Sequence, residues 1–117
     1  MKVAVTASSD KGLEAKIDSR FGRAPYFTIV DSDTMETKVI DNTASNSASG
    51  AGVSAAQILA DEGVKAVISV NFGPKAFDVL KAGNLKLYSI SDETVEISFL
   101  LEKEKESAIS QISQKHA

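Results

Sequence analysis

The chain has 117 residues, 43% of them hydrophobic and 25% charged, which suits a single globular domain with a real core and argues against disorder. A net charge of −3 argues against a nucleic-acid footprint, and the absence of cysteine excludes disulfides and thiolate metal sites. The apolar run at the start is too short for a signal-peptide core or a membrane span. The expectation is a soluble cytoplasmic protein with neither nucleic acid nor membrane as partner.

Lys2–Ala7 alternates, is rich in β-branched residues, and reads as a strand closed by Ser8, Ser9 and Asp10. A long polar connection follows, residues 11–23, beyond the usual loop length and so expected to be functional or partly helical. Tyr26–Asp31 and residues 36–41 are two more strands, joined as a hairpin by the turn residues Asp31, Ser32 and Asp33. Residues 42–52 contain only Asn, Thr, Ala, Ser and Gly, and lead into a helix over 53–62 with Val53, Ala56, Leu59 and Ala60 on one face and Gly63 as its stop.

Residues 64–70 are almost continuously apolar, as in a central strand covered on both faces. Pro74 then opens a helix through Ala82, with Ala76, Phe77 and Leu80 facing inward and Gly83 ending it. Residues 86–90 form the last strand. Ser91, Asp92 and Glu93 cap a final helix that runs to about residues 102–106. Residues 1–106 are expected to be one domain, and 107–117 an extension of that helix or a frayed tail.

The order β-β-β-α-β-α-β-α has a consequence for function. Strand–helix–strand connections are right-handed and make the linked strands parallel. With the second strand antiparallel to the rest, the carboxyl ends of the other four and the starts of the helices gather at one edge of a mixed sheet. Open α/β sheets bind ligands at such an edge.

Four segments arrive there. Residues 6–10 leave the first strand, and Arg20-Phe21-Gly22-Arg23 enters the second. The stretch Ser47-Ala48-Ser49-Gly50-Ala51-Gly52 precedes the first helix, and Asn71-Phe72-Gly73-Pro74-Lys75 the second. Arg20 and Arg23 are the only two arginines, and a guanidinium fork suits carboxylate or phosphate groups. The plainer alternative pairs one of them with an acid such as Asp18 and leaves the other as solvated surface charge. The small residues before each helix leave backbone N–H groups open to an anion. A strand–helix connection and its cap call for the same residues.

Sharper chemistry fails on inspection. Gly50-x-Gly52-x-x-Ala55 does not turn directly out of a strand, so it is not a dinucleotide fingerprint, and no phosphate loop occurs. The lone histidine, His116, lies in the tail, which leaves serine hydrolysis without a base. The topology suits a ribonuclease H-like architecture, but the first strand carries no acid to hold a catalytic divalent metal.

Phe21-Gly22-Arg23-Ala24-Pro25-Tyr26-Phe27, Ser49-Gly50-Ala51-Gly52 with Ala55-Ala56-Gln57, Gly63-Val64, and Gly73-Pro74-x-Ala76 together resemble the dinitrogenase iron-molybdenum cofactor biosynthesis family, which includes NifX-like proteins and the NifB C-terminal domain. The resemblance runs from the first strand to about Glu102. It implies a ribonuclease H-like three-layer α/β fold: a five-stranded mixed sheet of order 3-2-1-4-5, strand 2 antiparallel, with helices on both faces. It also implies binding of the iron-molybdenum cofactor or its iron–sulfur precursor.

Members of that family often carry a histidine just before Gly-Ala-Gly, where this chain has Ser49. With no cysteine and no site histidine, a cofactor is expected to be held by charge and backbone N–H groups. The leading expectation is a non-enzymatic accessory protein for an anionic metallocofactor or small ligand. In it, Arg20 and Arg23 neutralise charge, Phe21 and Gly22 lie between them, Ser49, Gly50 and Gly52 donate, and Asn71, Gly73 and Lys75 form the other wall. The alternative is a protein-interaction or regulatory module on the same fold, using the charged face Glu93, Glu96, Glu102, Lys103, Glu104 and Lys105.

Overall fold

The computed structural model describes residues 1–46, 50–90 and 97. Five strands, β1 (Lys2–Ala7), β2 (Tyr26–Asp31), β3 (Thr37–Asp41), β4 (Ala66–Ser69) and β5 (Lys86–Ser89), form one sheet of order β3-β2-β1-β4-β5. β2 is antiparallel to both β1 and β3, whereas β1–β4 and β4–β5 are parallel. This is the mixed sheet expected from the sequence. β1 and β4 are its centre, and Val3 through Ala7 and all of β4 are buried, which accounts for their near-continuous apolar composition.

Two helices, α1 (Ala51–Asp61) and α2 (Pro74–Ala82), cover one face through Ala55, Ala56, Leu59, Ala76 and Leu80, packed on Ala4, Phe27, Ile29, Val67 and Leu87. The other face buries Val3, Val5, Val30, Ala66, Ile68 and Tyr88 under Ala15, Ile17 and Ile97. Ile97 is helical, and its N–H donates to the Ala15 carbonyl at 3.0 Å. The rest of the expected final helix, its charged face and the tail lie outside the described residues.

Three expectations need correction. The connection after β1 is not simply polar, because Ala15, Ile17, Phe21 and Ala24 are all buried. It opens with a 3-10 turn at Gly12–Glu14 and is tied to the sheet by isolated bridges pairing Ala7 with Ile17 and Arg20 with Asn71. β4 is shorter than residues 64–70, since Val64 closes the end of α1 with its N–H on the Leu59 carbonyl, and Asn71 leaves the ladder to pair with the Ser19–Phe21 segment. α1 starts two residues early and is rotated relative to expectation: Val53 and Ala60 are exposed, while Ala51 and Ala55 are buried.

The rotation has a steric cause. A Cβ on Gly52 would lie 2.9 Å from Ala76 Cβ, and one on Gly22 would lie 2.7 Å from Gly52 N and 2.9 Å from Gly52 Cα. The arginine loop, the first turn of α1 and the first turn of α2 are thus stacked at backbone contact. That contact turns the small-residue side of α1, rather than Val53, toward its neighbours. Gly22→Ala sets a methyl against backbone that has no side chain to swing away. It should lower stability by about 1–3 kcal/mol, the usual cost of overpacking, read as a fall in the urea midpoint at unchanged slope.

At the opposite edge, Asp31 accepts the Asp33 N–H at 2.9 Å, and this bond is the main cause holding the Asp31 carboxyl below its ordinary value. A depressed carboxyl stabilises the fold above the ordinary carboxylate range, and that contribution is lost as pH falls through the folded-state value. Urea titrations of wild type and Asp31→Asn should therefore differ near neutral pH and converge on acidification.

Candidate functional site

The cleft sits where chain order reverses. β1 hands the chain to β2 on one side, whereas β4 hands it through α2 to β5 on the other, so the carboxyl ends of β1 and β4 diverge. The crevice floor is closed by backbone pairing: Asn71 N–H donates to Ser19 O at 2.8 Å, and Phe21 N–H donates to Asn71 O at 2.9 Å. Beneath it, the Thr6 hydroxyl donates to the Asp18 carbonyl at 2.7 Å and lies 3.2 Å from Ser69 Oγ. These buried hydroxyls serve backbone that would otherwise leave the ladder unpaired.

The resulting cleft has a volume of about 410 Å³ and is lined by three segments, residues 20–23, 50–53 and 71–76. Arg20, Phe21, Gly22, Arg23, Gly50, Gly52, Asn71, Gly73 and Lys75 all belong to that lining. Ser49 lies outside the described residues. Sequence reading passed over Ala51, Val53, Phe72, Pro74 and Ala76, which also line the cleft. Each adjoins a residue that was selected, so the signal was the segment rather than the side chain.

The nine residues do different work. Phe21 is buried, its ring centroid 5.6 Å from that of Phe27 and 5.7 Å from that of Phe72, so it builds an apolar floor instead of reaching a ligand with its side chain. Gly22 and Gly52 are filled from behind by protein, as the steric contacts above require. Gly50 and Gly73 differ: both have positive φ (71° and 81°), and among the described residues nothing beyond their chain neighbours lies within 4 Å of where a Cβ would stand. They are the helix caps of α1 and α2, and glycine has no side chain with which to cap. Both helix N-termini, with their partial positive charge, therefore end at the cleft without a side-chain cap from those positions.

Arg20 is held by Asp18 through Nε–Oδ1 at 3.2 Å and Nη2–Oδ2 at 3.3 Å, and its backbone N–H donates to the same carboxylate at 2.9 Å. The plainer reading of one arginine is thus realised in part. Arg20 side chain remains 61% exposed while Asp18 is 11% exposed, so the acid grips the guanidinium from the protein side. Arg23 Nη1 donates to the Ser45 carbonyl at 3.0 Å, which ties it to the 3-10 turn Thr43–Asn46 ahead of α1. Lys75 occupies the first turn of α2, where the helix dipole disfavours a cation, and an anion in the cleft would relieve that conflict.

Among the described residues the lining holds three cations and no acid, thiol or imidazole, and no three His, Cys, Asp or Glu side chains converge anywhere. The cleft therefore fits an anionic group that carries its own metal ligands. It does not fit one that needs thiolate or imidazole from the protein. None of the described helices is long and apolar enough to cross a membrane.

Known proteins share this fold. The fold matches the apo form of the orange protein from Desulfovibrio gigas, with a TM-score of 0.85 and 34% identity, over 92% of this chain and 89% of that one. It also matches a Thermotoga protein described as a NifB candidate, with a TM-score of 0.76 and 32% identity, over 90% of this chain and 87% of that one. The uncharacterised protein MJ0580 of Methanocaldococcus jannaschii is 32% identical over 99 residues, covering 82% of this chain and 80% of its own length. Residues 1–100 match the family model for the dinitrogenase iron-molybdenum cofactor, and the chain belongs to that family.

Proposed function

We propose that this protein is a non-enzymatic accessory protein that binds an anionic metallocofactor, of the iron-molybdenum or iron–sulfur precursor type, in the cleft between β1 and β4. One observation carries the reading: the only two arginines of the sequence, a lysine and two glycine-started helices all border one crevice whose lining contains no acid among the described residues. A volume of about 410 Å³ suits a compact small ligand. Family membership supports the choice of a metallocofactor over other anions.

In this reading Arg23 and Lys75 supply charge from opposite walls, and Arg20, already half-neutralised by Asp18, supplies direction more than net charge. The backbone N–H groups after Gly50 and Gly73 offer hydrogen bonds to the ligand's outer atoms, its sulfides or carboxylates. The Phe21–Phe27–Phe72 floor keeps water off the ligand's inner side and strengthens those bonds. The metal chemistry belongs to the cofactor. The protein's part is to hold, orient and shield it.

Anaerobic titration of ¹⁵N-labelled protein with isolated iron-molybdenum cofactor tests this directly. Amide shifts should concentrate in residues 20–23, 50–53 and 71–76, and molybdenum should co-elute with protein on gel filtration. Replacing both arginines (Arg20→Ala with Arg23→Ala) should weaken binding by roughly tenfold or more, the equivalent of about 1.4 kcal/mol of charge-assisted contact. Absence of any shift at millimolar protein would remove the reading.

Salt gives an independent check. Raising ionic strength from about 0.1 M to about 1 M shortens the screening length from about 10 Å to about 3 Å. Wild-type affinity should fall over that range, and the double variant should respond less. Equal slopes for the two proteins would mean that the guanidinium charges do not contribute.

A further inference from the structure

Asn42 follows β3 directly, at the head of a stretch whose composition reads as loop, yet it is only 2% exposed. Its side chain is fully committed. Nδ2 donates to the Gly22 carbonyl at 3.1 Å and to the Ala24 carbonyl at 2.8 Å, the two carbonyls that flank Arg23. Oδ1 accepts the Ala44 N–H at 3.2 Å. The main chain adds two bonds, Asn42 N–H to Pro25 O at 2.9 Å and Ser45 N–H to Asn42 O at 3.0 Å.

Those bonds join two things that Arg23 needs. One is the backbone on either side of Arg23. The other is the 3-10 turn Thr43–Asn46, whose Ser45 carbonyl receives Arg23 Nη1 at 3.0 Å. Asn42 thus fixes both the root of the arginine and one acceptor at its tip, from a buried position outside the cleft lining. No other neutral side chain of this size offers two donors and an acceptor in one plane. Aspartate would set a carboxylate against two carbonyl oxygens, and leucine would leave both carbonyls and the Ala44 N–H without their bonds.

We propose that Asn42 is the positioning residue of the cleft: it sets the direction of the Arg23 guanidinium without touching the ligand. This rests on the cofactor-binding reading for its effect on affinity, but not for its effect on Arg23 itself. Losing that direction should cost about what a charge-assisted contact contributes, roughly tenfold in affinity.

The test compares Asn42→Ala and Asn42→Asp with Val30→Ala, a core truncation at the far edge of the sheet, in a cluster that contains none of residues 20–23. Two readouts are taken at a temperature where each variant is folded by circular dichroism. The first is the Arg23 Nε–H resonance and its exchange with water, in protein alone. The second is anaerobic affinity for isolated iron-molybdenum cofactor. Both Asn42 variants should move the Arg23 resonance and speed its exchange, and should bind on the order of tenfold more weakly than Val30→Ala.

The aspartate variant keeps the acceptor for Ala44 and nearly the same volume, so it answers the question if the alanine variant does not fold. An Arg23 resonance that stays where it is in wild type, with affinity equal to that of Val30→Ala, would overturn the assignment. If wild type takes up no cofactor, the cofactor reading fails, and the Arg23 resonance alone still decides the role of Asn42.

Discussion

The cleft depends on one short piece of parallel pairing, in which the segment entering β2 runs beside the segment leaving β4 through the Ser19–Asn71 and Asn71–Phe21 hydrogen bonds. Divergence of β1 and β4 would by itself leave a gap with unpaired backbone on both sides, which is costly away from water. The returning loop fills that gap from beneath and stops at its rim, where the two arginines emerge. Its anchorage is apolar as well as polar: Ala15 and Ile17 join the core on one face of the sheet and Phe21 on the other. A connection of this length costs little more closure entropy than a short one, so burial of these few side chains is enough to hold it.

Glycine serves two opposite ends within a few ångströms. At Gly22 and Gly52 the missing side chain lets protein approach protein, and the stack of loop, α1 and α2 follows from it. At Gly50 and Gly73 it permits a left-handed backbone and leaves space above the helix starts. Glycine at a helix cap costs only a few tenths of a kcal/mol against serine or aspartate, so an uncapped start means little alone. Two such starts side by side at one cleft over an apolar floor, with a lysine seated against one dipole, are a different matter. Helix propensity gains nothing from that arrangement, and an anion gains from every part of it.

Much of the fold was legible because the strands are short, β-branched and punctuated, and because handedness leaves few ways to connect them. The edge where the cleft lies followed from topology alone. Packing was not legible in the same way. Val53 and Ala60 fit an apolar helical face by spacing, but the close contact at Gly52 and Ala76 turned that face aside, and a side-chain clash cannot be read from periodicity. Phe21 looked like a ligand contact because it stands between two arginines, yet its ring is drawn into the core by Phe27 and Phe72. Asn42 escaped notice for the reverse reason. The stretch that follows it is all small residues, and nothing local marks one asparagine as buried when its partners lie 18 and 20 residues away.

Charge placement bears on what a carrier must do. Asp18 grips Arg20 from the protein side and stays out of the cleft lining, so the guanidinium is oriented without placing a carboxylate in the cleft. An exposed pair of this kind contributes at most about 1 kcal/mol to stability, so its value lies in geometry. On the proposed reading, every contact with the cofactor is a charge or a hydrogen bond, and none is a metal–protein bond. Release then breaks no coordination bond and requires no competing thiol or imidazole, only a surface on which the same anion is held better. A protein ligand to the metal would hold more tightly but would turn delivery into ligand exchange. On the same proposed reading, serine before Gly50, in place of histidine, favours easy transfer.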